Sequence, residues 1–232
     1  MKNLNIVQVP ISLIHNKFLN RKRVIAFVSI VASGWKGSDY EQLAKFSLYS
    51  THRGNDSIIN QYKHLVQQFL DTGYLEQLNG GMFYTRKDDH FGIIYWCEFQ
   101  KILSFKKDCK LNGSSFNHAN VLLLLAHIRA YMDYTGGKPT FYSNLLSRIS
   151  EQTGLSVRSI SQCVDVLEEL GIIHSEKLPR YQDRNGCWHS NSRVFVNMRL
   201  QGDTPYDWQE ETAKSIRWIR THRTINKEEK YG

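Results

Sequence analysis

The chain is poor in cysteine and proline, with four of each in 232 residues, and it has no long apolar run. Cys97, Cys109, Cys163 and Cys187 form no CxxC pair. Cys187-Trp188-His189 is one residue too tight for common zinc-ligand spacing, so neither a disulfide framework nor a structural metal is expected. The thiols are expected to be reduced and packed as small hydrophobes. The longest apolar run, Val121 to Ala126, is far short of the ~20 residues a membrane span needs. Met1 to Pro10 lacks the apolar stretch of a signal peptide. A cytoplasmic protein without a membrane partner is expected.

Catalytic signatures are also missing. Gly136-Gly137-Lys138-Pro139 fails as a P-loop, because proline takes the Ser/Thr place. No two of the nine histidines stand two apart, which excludes the His-hydrophobic-His metal motif of rolling-circle nucleases. HExxH and GxSxG do not occur, and Asp88-Asp89-His90 reads as a polar turn. No enzyme and no cofactor are expected.

What the chain does have is positive charge, +8 overall with a pI of about 9.3. Residues 1–112 carry +6, residues 113–202 carry +2, and the remainder is neutral. No block of five like charges occurs, so the charge is spread over folded surface. A polyanionic partner fits this balance, and nucleic acid is the usual one.

The clearest pattern lies in the C-terminal half. Val157, Ile160, Val164 and Leu167 share one helical face; Ser156 suits the N-cap, and Gly171 the C′ position with φ > 0. Phe141 to Thr153 repeats the helical period upstream, and Gly154-Leu155-Ser156 makes a three-residue turn between two helices. Ile172 to Leu178 and Arg193 to Leu200 read as strands, joined by a loop that Pro179 and Asn185-Gly186 mark. Helix-turn-helix followed by a β-hairpin predicts a winged helix, with residues 116–134 as its first helix.

A shift of 98 residues superposes Ile59 on Val157, Tyr62 on Ile160, Val66 on Val164, Phe69 on Leu167 and Gly73 on Gly171. Asn79-Gly80-Gly81 then turns a short hairpin into Met82 to Thr85, and Arg21 to Ala32 and Asp39 to Tyr49 would be the preceding helices. The expected fold is mainly α with small β-hairpins (α+β). It comprises two tandem winged-helix domains, 1–105 and 116–202, a linker at 106–115, and a C-terminal helix within 203–232. The apolar stretch His90 to Leu103 fits either a further element of the first domain or an interface. Asp207 to Arg223 reads as a helix with Trp208, Thr212, Ile216 and Ile219 on one face, able to cap the second domain or reach another chain.

A winged helix inserts its third helix in the major groove, N-terminal residues towards base edges. Here those are Arg158, Ser159, Ser161 and Gln162. The hairpin loop adds Arg180, Arg184, Asn185, His189, Asn191 and Arg193 around Tyr181 and Trp188, a mixture suited to phosphates or the minor groove. In the first unit the matching positions are Asn60, Gln61, Lys63 and His64, with Lys36, Lys45, His52 and Arg53 upstream. They suit either DNA or a protein partner in dimerisation.

The segment 149–164 with Leu-Glu-Glu-Leu-Gly-Ile-Ile at 167–173 resembles the winged-helix unit of bacterial and phage DNA-binding proteins. With the weaker N-terminal unit and the helical tail, the chain is similar to replication initiators of plasmids and phages from low-GC Gram-positive bacteria, and to DnaD-type primosome proteins. The resemblance implies a non-catalytic protein that binds origin DNA, forms homodimers and engages a helicase loader or primosome proteins. A winged-helix transcription regulator on a palindromic operator, or a module that binds only proteins, fits the same residues.

Overall fold

The structure is a computed structural model that describes residues 6–34, 40–41, 43, 55–78, 81–84, 90–105, 117–132, 141–178, 181–182, 186, 188–189, 192–198 and 207–223. The architecture is α+β, with helices predominating and the strands in small antiparallel sheets. The chain divides into two compact units, Met1–Ala130 and Tyr131–Gly232. The expected linker at 106–115 lies outside the described residues.

In the first unit β1 (Ile6–Pro10) pairs antiparallel with β4 (Phe91–Tyr95), with Val7 opposite Ile94 and Val9 opposite Gly92. Between them in sequence come α1 (Ile11–His15), α2 (Arg23–Ser33), α3 (Asn55–Asp71) and the hairpin of β2 (Leu75–Leu78) and β3 (Gly81–Tyr84). After β4 follow α4 (Trp96–Ser104) and α5 (His118–Ala130). The order strand, short helix, long apolar helix therefore occurs twice, as β1-α1-α2 and β4-α4-α5. The expected helix at 39–49 falls almost wholly outside the described residues.

Helices α2 and α5 are largely apolar, and residues 23–31 and 121–129 are buried without a solvent stripe. Such helices form the centre of a core. Helix α5 packs on β4, α2, α1 and α4, so it belongs to the first unit and does not open the second, as its place in sequence had suggested. Gly92 lets the strand touch it: an added Cβ would meet the Ala126 carbonyl, 2.7 Å from its carbon and 2.9 Å from Cα. Phe69 of α3 stands edge-on to Phe27 of α2 and to Tyr74, which binds that helix to the same core.

Two buried arginines serve this core. Arg23 donates from Nε to the Leu13 carbonyl (2.9 Å) and from Nη2 to that of Ile14 (2.6 Å), closing the C-terminal end of α1. Arg129 makes a bidentate pair with Glu98 (Nη2 to Oε1, 2.7 Å) and donates to the Ile93 carbonyl (3.1 Å), linking α5 to α4 and β4.

The second unit is a three-stranded antiparallel sheet between helical layers. Its strands are β5 (Phe141–Leu145), β6 (Ile173–Lys177) and β9 (Ser192–Asn197), in the order β5-β9-β6. Helices α6 (Leu146–Thr153) and α7 (Val157–Glu169) connect β5 to β6. The ribbon of β7 (Tyr181–Gln182) and β8 (Trp188–His189) lies between β6 and β9. Residues 141–145 are a strand, not the start of a helix: Phe141 pairs with Val196 and Ser143 with Val194, and this distant partner overrides the helical period. Helix α8 (Trp208–Arg223) lies over the face that carries Phe141 and Val194, where Ile219 is buried and Trp218 meets Phe141. It caps its own unit.

Among the described residues no helix is long and apolar enough to cross a membrane. Nor does any group of three His, Cys, Asp or Glu gather there as metal ligands. Of the described thiols Cys163 is buried, as expected. Cys97 is exposed on α4, whose apolar face runs instead through Phe99, Ile102 and Leu103.

Candidate nucleic-acid interface

Local chemistry sets the position of α7. Gly154 ends α6 at φ +77°, and its N–H reaches the Ser150 carbonyl (2.9 Å). Ser156, extended at φ −67° and ψ 152°, accepts the Ser159 N–H on its hydroxyl (3.1 Å), which satisfies a donor at the helix start. At the far end Gly171 (φ +65°) donates to the Glu168 carbonyl and Ile172 to that of Leu167, both at 2.9 Å. This is the Schellman pair that turns a helix sharply into a strand. The Glu168 carboxylate accepts the Ser175 N–H (2.7 Å), fastening α7 to β6.

The buried face of α7 is Ile160, Cys163, Val164, Val166 and Leu167. Val157, expected on that face, is 45% exposed, because the stripe is centred one turn further on. Burial holds the Cys163 thiol up at about 12, with help from Asp165, so it stays a packed thiol and no nucleophile.

The exposed side carries Arg158, with Ser161 and Gln162 half-buried beside it. Ser159 is half-buried and bonded to the Ser156 hydroxyl (2.8 Å), so it belongs to the cap as much as to the outer surface. Exposed Asp165 and Glu169 lie towards the other end. The outer strip thus runs from a cation at the positive pole of the helix dipole to carboxylates at the negative pole. A phosphate chain would approach only the first half.

At the base of the hairpin Arg193 stands on the central strand, half-buried, between Asn144 and Lys177 in register. Its Nη1 donates to Ser175 Oγ (2.9 Å), on the sheet face opposite the one α8 covers. Lys177, which the sequence did not single out, is exposed beside it. Further out Trp188 is 59% exposed on β8, and Gly186 takes φ +80° in the tip. Arg180, Arg184 and Asn185 lie outside the described residues.

In the first unit Asn60, Lys63 and His64 are all exposed on α3, and Lys63 lies over the Tyr40 ring at 5.8 Å. Lys22 at the start of α2 donates to the neighbouring Gln61 (2.8 Å). Gly73 turns α3 into β2 at φ +67°, as Gly171 does for α7. Arg53 lies outside the described residues. Among those residues β2 and β3 form a sheet of their own, without the third strand that β5 supplies in the second unit.

No protein-family model, curated protein or solved structure matches the chain.

Proposed function

We propose that the chain is a sequence-specific binder of double-stranded DNA, without catalytic activity of its own, that acts as a replication initiator. In this reading the second unit is a winged helix with α7 as its recognition helix. The observation that carries it is the sheet order β5-β9-β6 around the α6–α7 pair, with a hairpin projecting between β6 and β9 and an exposed tryptophan on it. Strand, two helices and a hairpin that returns between its neighbours is the connectivity of that fold. It leaves the N-terminal half of α7 and the hairpin as the polar surface. Arg158 and Gln162 would read base edges, while Lys177, Arg184 and Arg193 hold phosphates.

A helix that a left-handed glycine turns into a strand occurs in each unit, α3 at Gly73 and α7 at Gly171, and this parallel supports a tandem reading. Two such units in one chain suit origin DNA with repeated sites. Homodimers and a helicase loader or primosome partner follow from the resemblance to initiators.

The test is a salt titration of duplex binding with wild type beside an Arg158→Ala, Gln162→Ala, Arg184→Ala variant. Micromolar affinity and a clear loss in the variant are expected. The log–log salt slope should flatten by about 0.9 for each phosphate contact removed. A folded variant that binds duplex as wild type does would refute the assignment. Site selection from a random pool should return tandem repeats; a single palindrome would point to a transcription regulator.

A further inference from the structure

Among the described residues the most exposed large apolar side chain lies far along the sequence from α7. Phe18 is 98% exposed, on the turn between α1 and α2. The turn is built to hold it there. Asn16 accepts the Phe18 N–H on its side chain (3.1 Å) and the Leu19 N–H on its carbonyl (3.2 Å). Asn20 accepts from Lys22 and Arg23 in the same way, at 3.0 and 2.9 Å. Leu19 points into the core, and Arg23 is anchored on the carbonyls of α1.

Charge surrounds this ring. Lys17 and Arg21 are exposed on either side, and the Lys22–Gln61 bond joins the turn to α3, where exposed His64 lies one turn on from Gln61 on the same side. Before Asp39 the sequence contains Lys2, Lys17, Arg21, Lys22, Arg23 and Lys36, and no carboxylate at all. Residues 39–112 are neutral in sum, so the whole positive balance of residues 1–112 lies in this segment.

A cationic turn with one presented ring fits an unpaired nucleic-acid strand. Bases stack on single aromatic side chains while neighbouring cations track the backbone. A lipid surface needs a broader apolar face, and here Leu19 is turned inward. A protein hot spot needs an apolar surround, whereas the neighbours of Phe18 are Asn16, Lys17, Asn20 and Arg21.

We propose that the α1–α2 turn and the adjoining Gln61–His64 side of α3 form a second site that binds single-stranded nucleic acid, Phe18 stacking on a base and Lys17 and Arg21 holding phosphates. This site goes beyond the duplex contact at α7 and does not depend on it.

The experiment is fluorescence anisotropy with labelled oligo(dT), oligo(U) and a random duplex. The proteins are wild type, Phe18→Ala, Lys17→Ala with Arg21→Ala, and Arg158→Ala with Gln162→Ala. Phe18→Ala should keep the wild-type Tm and weaken oligo(dT) or oligo(U) binding by about fivefold to a hundredfold, with its salt slope unchanged. The double lysine–arginine variant should flatten that slope by about 1.4. Whichever of the two oligomers binds tighter identifies the strand as DNA or RNA. Wild-type single-strand affinity in Phe18→Ala would overturn the proposal, as would an equal loss on duplex. The α7 variant should lose duplex and keep oligo(dT), so failure of either site leaves the other standing.

Discussion

Gly92→Ala is the sharpest test of how the first unit is assembled. Gly92 pairs with Val9 on β1, and its Cα faces the backbone of α5. The added methyl would lie 2.7 Å from the Ala126 carbonyl carbon, where non-bonded carbons rest at about 3.5–4.0 Å. Strand or helix must therefore retreat by roughly an ångström. Both partners are backbone, one fixed in a ladder and the other in a fully buried helix, so no change of rotamer relieves the overlap. Overpacking costs ~1–3 kcal/mol where side chains can adjust, and this contact belongs at the upper end. About 3 kcal/mol lowers Tm by roughly 6–12 °C in a chain of this size. Calorimetry and urea unfolding would measure it, with Gly34→Ala as the control. Gly34 has φ +60° and nothing within 4 Å, so only the left-handed backbone is penalised, at ~1–2 kcal/mol. If Gly92→Ala were no worse than that control, α5 would not press on β4 and its assignment to the first unit would fail.

Two further perturbations probe the polar groups of the same core. His127 is fully buried, its Nδ1 3.0 Å from His15 Nε2, and burial, then the His15 charge, holds it down to about 3. Burial, then Arg23 and Lys17, lowers His15 as well. Below pH ~6.5 the unfolded chain therefore takes up protons that the fold refuses. Stability should be constant above neutrality and fall as pH drops from 6.5 towards 5, approaching about 1.4 kcal/mol per pH unit for His127, with His15 adding in the same direction. Urea midpoints that match at pH ~7 and ~5, or an undiminished slope in His127→Asn, would contradict this. Glu98→Ala leaves the Arg129 guanidinium, 1% exposed, without its carboxylate. A loss of ~3–5 kcal/mol in chemical unfolding is expected, and less than ~1 kcal/mol would mean that water reaches the arginine.

Legibility followed the range of the interactions. The α7 segment and its exit were readable because everything that shapes them is local: the Ser156 cap, the apolar period and Gly171 lie within sixteen residues. Helix α8 was readable for the same reason, through the Trp208, Thr212, Ile216 and Ile219 face, while its Asp207 carboxylate accepts the Gln209 N–H (2.9 Å) at its start. Strand β5 was not, because Leu145, Leu146 and Ile149 satisfy a helical period and only the pairing with β9 makes 141–145 extended. Pairing of β1 with β4 joins segments about eighty residues apart, and nothing in Ile6 to Pro10 names its partner. Helix α5 has no polar stripe to give its orientation, so sequence neighbourhood assigned it to the wrong side of the division. Within the candidate site, α7 carries Arg158, Ser161 and Gln162 within about one turn of each other. The cap role of Ser159 and the Lys177–Arg193 pair needed the turn and the strand register.

The place of α8 bears on which surfaces of the second unit are left for a partner. One face of the β5-β9-β6 sheet carries Phe141 and Val194, with Leu178 just beyond β6, and these side chains need a cover. Ile216, Trp218 and Ile219 supply it from within the same unit, while Trp208 lies against His174 at 4.5 Å. The helix that sequence left free to reach another chain is thus a structural layer. Helix α7 packs on β6 and is tied to the backbone of that edge strand by the Glu168–Ser175 bond. Arg158 on the N-terminal half of α7, Lys177 beside half-buried Arg193, and Trp188 on the ribbon remain exposed. On the proposed reading these are the parts turned towards DNA. Ending the chain before Trp208 should therefore abolish duplex binding by unfolding the sheet, visible as lost near-ultraviolet circular dichroism. A truncated chain that kept its fold and lost only dimerisation would return α8 to the role of an interchain arm.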